Sequence, residues 1–147
     1  LKLAELGVGE SFGEEALISD AKRNATIAML TDGALVRLSK EDFRELLNEP
    51  LLHWVDLPHA KELVERGARW LDVRLPSEFA TFHLDDALNV PLYFIRLKVK
   101  TLDTATPYVA VCDTGRRSSA AAFLLSERGF DAYCLQDGLA GNKLGPE

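Results

Sequence analysis

The distribution of apolar and polar positions divides the chain into two textures that meet near residue 52. In the first, short apolar runs are broken repeatedly by glycine. Residues 1–6 alternate apolar and polar as a strand does, and Gly7, Gly9 and Gly13 then break the chain. Residues 24–30 and 34–38 predict two further strands, joined by the turn Thr31-Asp32-Gly33. Ser39 supplies an N-cap for a helix over 40–47 with Asp42 in its first turn, and Pro50 ends it.

From His53 onward, strand and helix alternate. Trp54-Val55 reads as a short strand and Asp56 as a cap for a helix over 58–66, stopped by Gly67. Residues 70–73 form a buried strand, and 87–90 another, ended by Pro91. A helix is expected over 93–102, although Ile95, Leu97 and Val99 leave the period ambiguous. Residues 108–111 are a continuous apolar strand. Residues 117–128 are an Ala- and Leu-rich helix stopped by Gly129, and 132–135 make the last strand. This alternation predicts an α/β fold with a parallel sheet covered by helices.

Composition narrows the class. Of 147 residues, 47% are hydrophobic and 27% charged, which suits a core-forming protein and not a disordered one. No apolar run approaches the ~18–20 residues that span a bilayer. The residues open on Leu1 without a signal-peptide pattern, which reads as a fragment or a processed product. The formal charge is −6, and residues 1–52 hold ten acidic against six basic residues. No basic patch points to nucleic acid; Arg96, Lys98 and Lys100 read as a solvated face. Two cysteines without metal-ligand spacing fit a reducing cytoplasm better than a disulfide framework or a zinc site.

One of those cysteines stands where chemistry is expected. Cys112 directly follows a buried strand, and Asp113, Thr114, Gly115, Arg116, Arg117 and Ser118 lead into the next helix. A strand, a tight loop and a helix N-terminus gather backbone N–H groups around one point and stabilise negative charge there. The thiolate is the nucleophilic form of cysteine. Arg116 and Arg117 add positive charge and Asp113 opposes it. Gly115 lets the loop curl. Cys134, in mid-strand, reads as a core thiol.

The run from Cys112 to Ser118 resembles the C-x-x-G-x-R-S active-site loop of single-domain rhodaneses. Leu71-Asp72-Val73-Arg74, then Glu78-Phe79, His83 and Ala87-Leu88-Asn89-Val90-Pro91, resemble further ordered motifs of that family, over about residues 53–142. Phe82, Asp86, Asp137 and Asn142 depart from its pattern at turns and packing positions. Arg117 closes a C-x4-R loop, one residue shorter than in phosphatases of related fold, which favours sulfur over phosphate. The resemblance implies a rhodanese-like domain over 53–147 and two-step covalent catalysis. Cys112 attacks the outer sulfur of a donor such as thiosulfate or a small persulfide. It then carries the sulfur as a persulfide, with no other cofactor, and yields it to a thiol or cyanide. Backbone N–H groups of the loop stabilise the terminal sulfur. Asp113 disfavours dianionic thiosulfate. Asp72 and Arg74 brace the sheet near the loop, and His83 fixes a turn.

Residues 7–17, with Phe12-Gly13-Glu14-Glu15-Ala16-Leu17, and then Arg23-Asn24-Ala25-Thr26 resemble the phosphate-binding cassette of cyclic-nucleotide-binding domains. Residues 1–50 then correspond to the C-terminal half of such a domain, an incomplete β-roll. The resemblance implies cAMP or cGMP as an effector, contacted by Gly13, Glu14, Ala16, Arg23 and Ala25. Arg23 would pair with the cyclic phosphate and Glu14 with the ribose 2′-hydroxyl. The competing reading is a remnant in which Glu14 and Arg23 are surface charges. A half barrel also exposes strand edges, which invites a homodimer through this segment. The sequence therefore supports three functions: a bacterial-type cytoplasmic sulfurtransferase, a cyclic-nucleotide-responsive module with a low-turnover rhodanese output, and a dimerising scaffold.

Overall fold

The computed structural model describes residues 1–18, 22–23 and 25–146, with backbone alone at 47–49. In chain order the elements are α1 (Glu14–Ile18), α2 (Lys40–Phe43) continuing as a π-helical turn (Arg44–Asn48), α3 (Glu49–Leu51), β1 (Trp54–Val55), α4 (Leu57–Glu65), β2 (Arg69–Asp72) and α5 (Pro76–Thr81). Then come β3 (Leu88–Asn89), α6 (Ile95–Lys98) between two 3-10 turns (Leu92–Phe94 and Val99–Thr101), β4 (Tyr108–Val111), α7 (Arg116–Glu127), β5 (Ala132–Leu135) and α8 (Gly138–Gly141).

The five strands form one sheet in the order β1-β5-β4-β2-β3, with every pair parallel. This is the α/β architecture that the strand–helix alternation predicts. β4 lies at the centre, and all four of its residues are buried. That explains why it reads as an unbroken apolar run instead of an alternating one. Side-chain direction still alternates along it. Tyr108, Ala110 and then Cys112 face a core built with Ala121, Leu124 and Leu125 of α7, whereas Val109 and Val111 face Ala60 of α4 and Leu139 of α8. Cys112 thus leaves the strand on the α7 side. Asp56 caps α4 by accepting the His59 backbone N–H at 3.0 Å. Gly67 and Gly129 end their helices in the left-handed region, where a side chain is costly.

The N-terminal segment departs from the expected half β-roll. None of the described residues in 1–38 belongs to a hydrogen-bonded strand, and position 24, where one strand was expected to start, lies outside the described residues. The predicted strands over 1–6, 24–30 and 34–38 are corrected accordingly. A lone ribbon is marginal in water unless a third strand or a helix covers its apolar face. Here Ile27, Met29, Leu30, Leu35 and Val36 are exposed. The segment attaches to the α/β unit through its helices instead. Phe43 is buried edge-on against Phe123 of α7, with ring centroids 5.2 Å apart. Ser11 Oγ donates to Glu127 at 3.1 Å. Glu14 and Glu15 of α1 both pair with Arg96 of α6. The helix expected over 93–102 forms as three short turns, in keeping with its ambiguous period.

Candidate active site

The end of β4 delivers Cys112 into a loop whose backbone is held from two sides. On one side, Gly115 takes φ +91°, a conformation open to glycine, and begins α7. This turn aims the Gly115 N–H at Cys112 Sγ, 3.2 Å away. The Ser118 N–H, one of the first-turn donors that a helix leaves unpaired, reaches the same sulfur at 3.3 Å. The Ser118 hydroxyl lies 3.2 Å from it. Cys112 is 1% exposed, and two backbone N–H donors and a hydroxyl converge on its sulfur. Such a cradle stabilises a thiolate, or an anion carried on that sulfur.

On the other side, α8 grips the carbonyls of the loop. Leu139 N–H donates to Cys112 O at 2.8 Å, and Ala140 N–H to Asp113 O at 2.9 Å. This close approach is why Gly138 is a glycine. A Cβ there would lie 2.4 Å from Asp113 O and 2.6 Å from Cys112 O, and φ is +62°. Gly138→Ala is expected to cost about 1–3 kcal/mol and to loosen the loop. Urea denaturation would measure the loss, and the rate of Cys112 alkylation would report the loosening. Asn142 secures the same turn by donating to the carbonyls of Gln136 and Gly138, both at 2.7 Å.

Charge around the loop is arranged in pairs. Asp72 is fully buried and accepts from the Arg74 side chain three times, at 3.0, 3.1 and 2.7 Å, and from the Arg74 backbone N–H at 3.0 Å. Arg74, itself 6% exposed, also donates to Phe82 O at 2.6 Å and to Asp113 at 3.4 Å. It thereby links the end of β2 to the cysteine loop. Asn89 ties the same corner by donating to the carbonyls of Asp72 and Arg74, both at 3.0 Å. Arg117 lies 3.6 Å from Asp113 and makes a two-pronged pair with Glu78 at 2.7 and 2.8 Å. Thr114 and Arg116 point to solvent.

Glu78 and Asn89 lie in motifs that the sequence displays, yet nothing in their spacing assigned them a role. Glu78 also accepts the Leu75 N–H at 2.8 Å and so organises the first turn of α5. The Arg117 guanidinium holds its carboxyl down from 4.5 to about 2. A carboxylate lowered in the folded state adds stability that is fully present above about pH 4.5 and is lost as pH falls through about 2. Both side chains are about a third exposed, so solvent screening reduces the net worth to about 1 kcal/mol. Glu78→Gln should therefore flatten the acid limb of the stability–pH curve, as read by urea unfolding over a pH series.

His83 Nδ1–H donates to Phe79 O at 2.9 Å, and the imidazole stacks on the Phe79 ring. Cys134 is fully buried on β5, and its Sγ lies 3.4 Å from Ser118 Oγ. The nucleotide candidates are not gathered in comparable fashion. Gly13 takes φ +86° with Arg23 nearby, Arg23 and Ala25 are exposed, and Ala16 is half-buried. Glu14 is only 4% exposed and faces Arg96. This corrects its reading as a surface charge. An open hollow of about 470 Å³ between Trp54, His59, Leu63 and Tyr133 is lined by none of the loop residues. Among the described residues, no cluster of His, Cys, Asp or Glu is arranged to hold a metal ion, and no helix is long and apolar enough to cross a membrane.

The structure is thus a parallel α/β sheet that delivers a cysteine into a backbone cradle at a helix start. Comparison with known proteins makes this specific. A rhodanese-like domain model matches residues 56–143, and a cyclic nucleotide-binding domain model matches residues 1–49. The chain belongs to the rhodanese-like family, whose enzyme class is sulfurtransferase. It is 32% identical over 80 residues to thiosulfate sulfurtransferase GlpE of Pseudomonas aeruginosa, covering 54% of this chain and 73% of that one. It is 35% identical over 66 residues to thiosulfate sulfurtransferase PspE of Escherichia coli, covering 42% and 61%. A rhodanese-related protein from Thermoplasma volcanium superposes with TM-score 0.58 at 26% identity, covering 64% of this chain and 95% of that one.

Proposed function

We propose that this chain transfers sulfane sulfur through a persulfide on Cys112 to a thiol or cyanide acceptor. The observation that carries the reading is the convergence of Gly115 N–H, Ser118 N–H and the Ser118 hydroxyl on one buried sulfur. The Cys112 thiolate attacks the outer sulfur of the donor and forms an S–S bond. With thiosulfate, the S–S bond of the donor breaks and sulfite leaves with the electron pair. An acceptor thiolate or cyanide then attacks the terminal sulfur, and the Cys112 thiolate departs with its electrons restored. Loop N–H groups hold the terminal charge throughout.

Thiosulfate is the substrate in the names of the GlpE and PspE relatives. Asp113 weighs against a dianionic donor at this loop, but Arg74 and Arg117 both lie within 4 Å of its carboxylate and offset its charge. Intact-mass measurement after exposure to thiosulfate, and separately to a low-molecular-weight persulfide, tests the reading. A gain of about 32 Da, one sulfur atom, that a thiol then removes is the expected result. No gain with either donor would overturn it.

A second reading, a cyclic-nucleotide effector site, is favoured by the family model over residues 1–49 and by Arg23 lying beside Gly13. The burial of Glu14 against Arg96 counts against it, because a ribose hydroxyl would have to displace that pair. Calorimetry with cAMP and cGMP decides. Binding that Arg23→Ala removes supports the effector site, and silence in both the native chain and Arg96→Ala ends it. The exposed Ile27, Met29, Leu30 and Val36 support the further proposal of self-association through the same segment, which sedimentation over a concentration range would test.

A further inference from the structure

Cys134 takes no part in the proposed sulfur transfer, yet its side chain shares a hydroxyl with the cysteine that does. Ala110 of β4 is in register with Cys134 of β5, so the sheet sets Cys134 beside the strand that leads into Cys112. α7 packs over both strands, and Ser118 in its first turn comes down between the two sulfurs. Ser118 Oγ lies 3.2 Å from Cys112 Sγ and 3.4 Å from Cys134 Sγ. Among the described residues those sulfurs are its only partners. Ser118 and Cys134 are fully buried and Cys112 is 1% exposed.

A hydroxyl has one proton to give and two lone pairs to receive with. A thiolate at Cys112 only accepts, so the hydroxyl proton is best spent there. That leaves Ser118 Oγ as an acceptor for the Cys134 S–H. The alternative acceptors of that S–H, the carbonyls of Gly115 and Leu135, lie farther away at 3.8 Å each. We propose that Cys134 is a positioning residue, whose S–H donates to Ser118 Oγ and so commits the Ser118 hydroxyl to Cys112 Sγ. The inference rests on the reading of Cys112 as the sulfur-carrying thiolate.

Two features support it. Burial pushes the Cys134 thiol up to about 12, so Cys134 keeps its proton wherever a reactive Cys112 is ionised. Donors in series polarise one another, so a weak S–H bond behind the hydroxyl strengthens the O–H bond in front of it. Arg117 is a cation whose charge is felt at Cys112. Asp113, Arg74 and Glu78 surround Arg117 or the loop. All of these are common to the native chain and to variants at Cys134.

The test is the pH profile of Cys112 alkylation by iodoacetamide, with the modified residue located by mass. Cys134→Ala should move the profile to higher pH by about half a unit, which is about threefold slower alkylation on its rising limb. Cys134→Val, which fills the site but cannot donate, should do the same and covers the case in which the alanine variant fails to fold. Cys134→Ser keeps a donor and should move the profile back toward that of the native chain. In a Ser118→Ala background the Cys134 substitution should have no further effect, because its route to Cys112 is gone. An unmoved profile, or an equal displacement with and without Ser118, would overturn the proposal. Persulfide formation by the native chain is read separately by intact mass, so its absence would sink the sulfurtransferase reading while leaving the alkylation comparison to be judged alone.

Discussion

Cys112→Ser is expected to abolish the sulfur adduct while the fold survives. An alcohol is not ionised near neutral pH and has little nucleophilicity toward sulfur, so the first covalent step is lost outright. The fold should tolerate the change, because the new hydroxyl would inherit the partners of the sulfur. The N–H groups of Gly115 and Ser118 and the Ser118 hydroxyl already converge on that point. A buried polar atom with partners is cheap, and the loss of volume is small, so about 1 kcal/mol or less is expected in a urea titration. The chain has two cysteines, which makes the mass measurement unambiguous. An adduct that persists at full yield in Cys112→Ser would assign the sulfur to Cys134 and end the proposed mechanism.

Arg74→Ala should be the most damaging single change to stability, at about 3–5 kcal/mol. Asp72 is fully buried, and among the described residues the Arg74 guanidinium provides three of the four hydrogen bonds to its carboxylate. Removing the guanidinium strands a carboxylate in a low-dielectric corner, with one backbone N–H left to it. The same change takes a cation from Asp113 and a donor from Phe82 O, so the cysteine loop should lose order as well. The sharper form of the prediction is the double variant. Asp72→Asn with Arg74→Ala removes the orphaned charge and should recover part of the stability lost by Arg74→Ala alone. Urea denaturation of the native chain and the two variants checks it, and a double variant that is no more stable than the single one would contradict the orphaned-charge explanation.

The centre of the sheet was legible because β4 and most of β5 are buried and therefore read as apolar runs. β4 and β5 fall on the expected residues. Their parallel pairing agrees with the strand–helix alternation, whereas the strand order β1-β5-β4-β2-β3 is set by packing that the alternation does not carry. The N-terminal strands were legible as pattern but do not form. Alternation in a short run states a preference for one apolar face, and that preference is realised only when something covers the face. α5 and α8 were invisible because six and four residues are too few for a 3.6-residue period to show.

At the site, the contiguous part was readable and the assembled part was not. Cys112 through Ser118 lie along one stretch of chain, so their chemistry could be weighed together. The pairing of Arg117 with Glu78 spans 39 positions, and that of Glu14 with Arg96 spans 82. No local pattern encodes either. Cys134 was readable as a core residue. Its neighbour Ser118 is supplied by the register of β5 and the packing of α7, which spacing along the chain does not carry.

The grip of α8 on the cysteine loop fixes the polarity of its peptide groups. In a trans peptide the carbonyl and the N–H point in opposite directions. Leu139 and Ala140 hold the carbonyls of Cys112 and Asp113 toward α8, so the N–H groups of Asp113 and Thr114 are turned away from it. Neither peptide can flip without breaking a hydrogen bond of 2.8 or 2.9 Å. A loop free to flip could offer oxygens to a passing cation in one moment and N–H groups to an anion in the next. This one is denied the first state, so its ligand sign is set by four residues at the far end of the chain before any substrate arrives.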